Sequence, residues 1–325
     1  LRLCQFIFVG GQHSFRCSKC GRLIHTTMPI EDVRFECRGF GLPGKPATWN
    51  NLPCPRPTRI TPKVRHLIYH LYPVRGKWEW HVEWLRRYWH VFNGRKIVGI
   101  AVDEATECES HVIKSLPADV ERLIVINDPA QREAKTFIKA IRQFTCATAG
   151  ETVCFMHSKG VRHPENHLAW LWAEVQYYHC LHRWKAAMRA LRTHIFAGPV
   201  LRPGAGLDQQ SIYLWPWHFT GAFYWFRLKE VLEHPRRWQL PIVWWYVEGW
   251  PAQFGPERIA QALLWHGEVN LYSRAAWPPL LERHARMGGR LVESLDQFVE
   301  GGTWPWPHLP ADAIPCAHTL ASFHG

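Results

Sequence analysis

The chain has 325 residues, 47% of them hydrophobic and 20% charged, which is enough apolar side chain for a large packed core. That balance excludes a coiled coil and a wholly disordered chain, and no uncharged apolar run approaches the roughly 18 residues of a spanning helix. Lys and Arg number 39 against 27 Asp and Glu, a formal charge of +12, which favours polyanionic partners and says nothing about how one would be read.

Residues 1–62 stand apart, with nine of the basic side chains, three acids, and five of the ten cysteines. Cys17-Ser-Lys-Cys20-Gly has the spacing of a zinc knuckle, because two thiolates two residues apart reach one metal while the glycine allows the tight turn. Cys37 and Cys54 are the expected completing pair, with Cys4 as the alternate; a reduced pair or a disulfide stays open. Cys108, Cys146, Cys154, Cys180 and Cys316 are scattered and read as small hydrophobes. Prolines crowd positions 43–62, so a small zinc-ribbon-like module with structural zinc, followed by a stiff linker, is expected over 1–62.

From Lys63 the rhythm becomes strand then helix. Residues 66–72 (HLIYHLY) predict a strand. A helix over about 77–92 follows, with Trp80, Trp84, Tyr88 and Val91 on one face and Asn93-Gly94 as its left-handed cap or turn. Residues 96–102 (KIVGIAV) and 122–126 (RLIVI) predict two more strands. Asp128 reads as an N-cap, with Pro129 opening a helix over about 129–144. Residues 152–156 (TVCFM) form a strand that ends at His157-Ser158-Lys159-Gly160. A long helix is expected over 167–195, strands at 221–226 and in the apolar run 242–247, and a helix opened by Pro256 over 257–266. The alternation predicts a three-layer α/β domain with a mixed sheet over 63–295, and a Pro- and Trp-rich tail over 296–325 wrapped on the surface. Of 19 tryptophans, many must be core; the excess suggests some stack on sugars, bases or partner proteins.

In an open α/β sheet, ligands sit beyond the carboxyl ends of the strands, which gathers Tyr72 to Arg75, Asp103, Asn127-Asp128, and His157 to Gly160. No glycine-rich dinucleotide fingerprint, GxxxxGK loop, GxSxG elbow or HExxH pair occurs, so hydride transfer, P-loop chemistry and serine hydrolysis are not indicated. Lys159 offers a point charge, Ser158 a hydroxyl and Gly160 close backbone approach, as a diphosphate would need; all three also suit an ordinary strand end.

The stretches HLIYHLYPVRGKWEWHVEWLRRYWHVFNGRKIVGIAVD, HSKGVRHPEN with the Trp-rich segment after it, and WHFTGAFYWFR resemble bacterial and phage proteins related to nucleotide-sugar glycosyltransferases of the GT-A fold. The resemblance spans about residues 63–275 and implies a Rossmann-like domain taking a nucleotide-sugar donor, first of all a UDP-sugar. It implies a nucleotide pocket lined by Tyr72, Pro73, Asp103, Asn127 and Asp128, with His157, Ser158 and Lys159 where many members carry a metal-binding Asp-x-Asp. No Asp-x-Asp occurs in this chain, so a Mn²⁺ or Mg²⁺ role is in doubt, and Lys159 with Arg162 would neutralise the leaving group instead. Trp217, His218, Gly221, Phe223 and Trp250 would form the acceptor side. Glu248 is the first choice of general base, with Asp103 and His218 as alternatives, while a solvated loop acid is the plainer reading of Glu248. The resemblance extends to enzymes that glycosylate hydroxymethylated bases in phage DNA, which would place the chain in the cytoplasm of a bacterial host. Polysaccharide or glycan synthesis and a catalytically inactive nucleic-acid-binding protein are the competing readings.

Overall fold

Short apolar runs alternating with amphipathic ones build a sheet sandwiched by helices. The computed structural model describes residues 58–163, 166–203, 215–237 and 246–289, together with three short strands nearer the start whose backbone alone is described. The chain divides into two compact units, Leu1–Pro53 and Cys54–Gly325. In the first, β1 (Phe6–Phe8), β2 (Ser14–Cys17) and β3 (Leu23–His25) form an antiparallel sheet in that order. Cys17 ends β2, whereas Cys4, Cys20, Cys37 and Cys54 lie outside the described residues, and so does the segment after 289.

The second unit begins with β4 (Val64–Leu71), α1 (Glu79–Arg87), β5 (Lys96–Val102), α2 (Glu109–Ser115), β6 (Glu121–Ile126), α3 (Glu133–Ile141) and β7 (Glu151–His157). It continues with α4 (His167–Tyr177), α5 (Trp184–Ala190), β8 (Phe196–Pro203), β9 (Trp217–Phe219), β10 (Tyr224–Arg227), α6 (Leu228–Glu233), α7 (Tyr246–Gly249), β11 (Ala260–His266) and α8 (Trp277–Arg286). The strands lie in the order β11-β8-β10-β7-β4-β5-β6, with β9 paired to β8. Strands β4 to β7 and the β8–β11 pair run parallel, while β10 is antiparallel to both its neighbours and β9 to β8, so the sheet is mixed as expected.

Alternate residues of each strand feed opposite layers. Leu67, Tyr69 and Leu71 face a core with Trp80, Trp84 and Tyr177. Ile68, Val153 and Phe155 face one with Phe137, Phe226 and Trp250. A third cluster joins Leu171 and Val175 to Leu264, Trp277 and Leu280. Every tryptophan among the described residues is buried or half-buried, packed into these layers instead of left as an exposed stacking surface. No helix among the described residues is long and apolar enough to cross a membrane.

Several local expectations give way to tertiary context. Gly94 is not left-handed; it is needed because a Cβ there would stand 2.5 Å from His66 Nδ1. Asp128 does not cap a helix: its Oδ1 takes the Ala130 amide at 2.9 Å in a turn, and α3 starts four residues later than predicted, behind Arg132 at φ 43°. The helix expected over 167–195 breaks into α4, a π turn at Tyr178–His182, and α5. The wider turn shifts the helical phase so that Tyr177, Tyr178, Cys180 and Leu181 are all buried, and it frees the Cys180 carbonyl to accept from Trp225 Nε1 at 3.0 Å. Residues 257–266 are not helical: Pro256 opens one 3-10 turn, after which Ala260–His266 pairs parallel with β8, ladder bonds winning over local helix preference. Of the run 242–247, Tyr246 and Val247 belong to α7 and residues 242–245 lie outside the described ones.

Candidate functional site

The parallel strands β4, β5, β6 and β7 all end on one side of the sheet, and a cavity of about 320 Å³ opens there. Its lining includes Tyr72, His157, Ser158, Lys159, Gly160 and Arg162, together with Glu248 from α7. The end of β7 is tied to that of β4: the Ser158 amide donates to the His70 carbonyl at 2.9 Å, and Ser158 Oγ accepts the Tyr72 amide at 2.9 Å. Gly160 then turns the chain at φ +85°, where a Cβ would press on Ala169 at 3.3 Å, and returns Arg162 over the Tyr72 ring at 4.6 Å.

Asp103 and Asn127, from the ends of β5 and β6, are outside the cavity lining but are hydrogen-bonded to Tyr72 and Arg162, which line it. Tyr72 OH donates to Asp103 Oδ2 at 2.7 Å, Asn127 Nδ2 donates to the same oxygen, and Arg162 Nη2 donates to Asn127 Oδ1 at 3.0 Å. Partial burial opposes ionisation of Asp103, but the Tyr72, Asn127 and Ala105 donors and the Arg162 charge outweigh it and hold the carboxyl below its ordinary range.

Lys159 Nζ lies 3.6 Å from the centre of the Trp172 ring. Burial pulls its ammonium down from its ordinary value against the opposing pull of Glu248 and Glu133. Glu248 is buried, and its Oε1 accepts the Gly221 amide at 3.0 Å. Burial raises its carboxyl, with Lys159, the Gly221 amide and Arg202 working the other way. The Gly221 carbonyl bonds His157 Nε2 at 2.9 Å, so one glycine at φ +91° orders a carboxylate and an imidazole. A Cβ at Gly221 would meet Trp172 Nε1 at 2.9 Å. Burial, reinforced by Lys159 and His70, keeps His157 neutral, and burial beside Arg162 puts His70 at about 3.

Other sequence-nominated residues fall elsewhere. Trp217 is core, its Nε1 donating to the Gly255 carbonyl at 3.0 Å; Trp250 is packed on Phe137 and Phe254; Phe223 is wholly buried against Tyr177. None of the three offers a face to an acceptor, because apolar rings at these positions fill the space under the sheet. His218 is buried outside the cavity lining, pushed to about 4 by burial and Arg202. Pro73 is buried and Asp128 is held in its turn; neither lines the cavity.

Sequence reasoning missed Arg132 and Glu133 at the start of α3, His70, Trp172 and Tyr272, all of which line the cavity. Glu133 reads in sequence as a first-turn acid on a solvated helix, yet it is 5% exposed. Burial pushes its carboxyl up to about 7, with Glu248 adding and its own amide, Lys159 and Arg132 opposing. Nothing in the sequence marks that start; the positive φ of Arg132 that sets it is seen only in the folded chain.

Among the described residues no group of three or more His, Cys, Asp or Glu side chains converges as a metal site. The cavity is instead flanked by the cations Arg132, Lys159 and Arg162, a set that suits an anionic ligand.

What fold and site together define is an open α/β domain with a cationic strand-end cavity floored by two buried carboxyl groups. No protein-family model matches the sequence, and no curated protein matches it. Among solved structures, the chain is similar to glucosyl-3-phosphoglycerate synthase from Mycobacterium tuberculosis, crystallised with Mn²⁺, UDP and phosphoglyceric acid, at 10% identity over 70% of this chain and 80% of that one, with a TM-score of 0.36. It is also similar to a protein assigned as a glucose-1-phosphate thymidylyltransferase from Bacillus anthracis, solved with a sucrose, at 11% identity over 67% of this chain and 93% of that one, with a TM-score of 0.30. Likenesses this low carry no functional argument, and the reading that follows rests on the cavity.

Proposed function

We propose that the chain is a transferase that binds a nucleoside-diphosphate sugar in the strand-end cavity and passes the sugar to an acceptor hydroxyl. The observation that carries this reading is the convergence of Arg132, Lys159 and Arg162 beside the hydrogen-bonded Tyr72, Asp103 and Asn127. A diphosphate needs fixed cations as its charge grows on departure, and a ribose or base edge needs a carboxylate and an amide at hydrogen-bonding distance. In this reading Asp103 and Asn127 hold the nucleoside, and Lys159 and Arg162 take the diphosphate. Glu248 takes the proton from the acceptor; burial raises its carboxyl, which makes it a stronger base than an exposed acid, and it stands in the cavity wall. The cations supply the charge that a divalent metal would otherwise supply, since no carboxylate cluster is at hand. The net charge of +12 favours a polyanionic acceptor, and a 5-hydroxymethylated base in DNA is the one carried forward; a glycan is the alternative.

The test is calorimetric titration of UDP- and GDP-sugars, with and without Mn²⁺, into the intact protein and Lys159→Ala. One nucleotide is expected to bind saturably, at least roughly tenfold more weakly in the variant, with little change on adding Mn²⁺. Absence of binding by every nucleotide to the wild-type chain overturns the proposal. If a donor binds, transfer to hydroxymethylated duplex DNA against transfer to oligosaccharides decides the acceptor.

A further inference from the structure

Two cavity carboxyl groups are buried, and only one of them is held by a distant part of the chain. Glu248 is engaged by the Gly221 amide at 3.0 Å. Glu133 is 5% exposed, and among the described residues its own backbone amide is the one group that hydrogen-bonds its carboxyl. A buried carboxyl with so little to hold it is costly. Replacing Glu133 by an apolar residue would remove within the folded chain only the bond from its own backbone amide.

The backbone supports the same conclusion independently. Arg132 and Ala222 are the two non-glycine residues with positive φ among those described, at 43° and 55°. Such conformations cost about 1–3 kcal/mol each and persist where the surroundings hold them in place. The kink at Arg132 starts α3 at Glu133 and sets both side chains in the cavity wall. Ala222 follows Gly221, whose amide and carbonyl order Glu248 and His157. Both distortions therefore border the cavity and its two acids.

The cavity lining mixes cations with acids. Arg132, Lys159 and Arg162 suit phosphate oxygens, whereas Glu133 and Glu248 would repel them and suit groups that donate hydrogen bonds. A ligand that meets both needs carries phosphate together with hydroxyl groups. Lys159 Nζ is seated on the Trp172 ring at 3.6 Å, and it lowers the tendency of both acids to stay protonated.

We infer that Glu133 is a specificity-determining residue of this cavity, its carboxyl group taking the hydrogen bond of a hydroxyl on the sugar carried by the nucleotide. The inference rests on the nucleotide-sugar reading of the site and names the part of the ligand that Glu133 reads. Glu248, already held by Gly221, is left for the acceptor.

The experiment compares affinities for UDP and for UDP-glucose and UDP-N-acetylglucosamine, measured calorimetrically on the full chain and on Glu133→Gln, Glu133→Leu and Glu133→Asp. The quantity read is the ratio of the UDP-sugar affinity to that for UDP. Glu133→Leu is expected to lower it roughly tenfold, with UDP affinity unchanged within about twofold, because one hydrogen bond from the sugar is lost and the phosphate contacts remain. Glu133→Gln, which can still accept, keeps most of the ratio. Should Glu133→Leu fail to fold, Glu133→Asp, which retains the charge but withdraws the carboxyl by one methylene, carries the same expectation of loss. An unchanged ratio in Glu133→Leu or Glu133→Asp overturns the inference and leaves the nucleotide-sugar reading intact. Where GDP binds and UDP does not, the same ratio is read with GDP and GDP-mannose; binding of neither nucleotide nor its sugars to the wild-type chain overturns the inference together with the nucleotide-sugar reading.

Discussion

Glu133 and Glu248 sit where water is scarce, and their protonation is set by burial more than by the cations nearby. For Glu133 this has a sign that can be worked out. Its carboxyl is raised to about 7 in the folded chain by burial, facing Lys159, Arg132 and Glu248, from an ordinary value of 4.5. Between those values the folded state holds a proton that the unfolded state has released, so stability falls as pH rises through that window and levels off above it. Glu133→Gln should therefore be more stable than the wild type at pH 8, by up to about 3 kcal/mol, and nearly equal to it at pH 4.5. Denaturant titrations at the two pH values check this. Equal stabilities at pH 8 would mean that the carboxyl is solvated. A gain in stability in Glu133→Gln, together with a loss of sugar discrimination in Glu133→Leu, is what a residue kept for function at a cost in stability displays.

At the scale of elements, the position of α3 decides what lines the cavity. Gly99 in the middle of β5 lets Thr136 of α3 lie against the strand, and a Cβ at Gly99 would fall 2.2 Å from Thr136 Cγ2. Thr136 Oγ1 in turn holds His70 Nδ1 at 2.9 Å, beneath the cavity. Gly99→Ala should cost about 1–3 kcal/mol of stability through overpacking and should also weaken nucleotide binding, since α3 carries Arg132 and Glu133. Adding Thr136→Ala removes the clashing methyl and hydroxyl and should restore part of the stability but not the His70 bond. Chemical denaturation of the single and double variants checks both statements. Elsewhere the sequence was read well where a segment's own pattern and the sheet agree: β5 was expected over 96–102 and is found there. It was misread at α3, at the π turn and at β11, where the neighbours of a segment decide against its local preference.

Across the molecule, one buried arginine joins segments distant in sequence. Arg227 has no exposed surface; its Nε donates to the Leu191 carbonyl at 2.7 Å, and its Nη1 donates to the Thr58 carbonyl and to Glu230 Oε1, each at 2.8 Å. Residues 58–63, expected in the linker, are thereby fastened to the larger unit, with the Ile60 amide on the Arg192 carbonyl at 3.2 Å and the Lys63 amide on that of Gly150 at 2.8 Å. Arg227→Met should destabilise the chain by about 3 kcal/mol, because Glu230 and two carbonyls lose their donor. Limited proteolysis should then cut before residue 64 faster than in the wild type; an unchanged cleavage rate would show that the two backbone bonds suffice.

The amino-acid sequence by itself determined the α/β class, the strands β4 to β7 and the gathering of Tyr72, Asp103, Asn127 and Lys159 beyond their ends, because alternation and strand ends are local properties of the chain. It also supplied Glu248, though on a helical turn and not at a strand end. Only the tertiary structure decided that Glu133 is buried, that Trp217 and Trp250 are core, and that Arg132 turns into the cavity. Burial depends on what packs against a residue from far along the chain, and the same acid, tryptophan or arginine is written identically in the sequence whether it meets water, a sheet or a ligand.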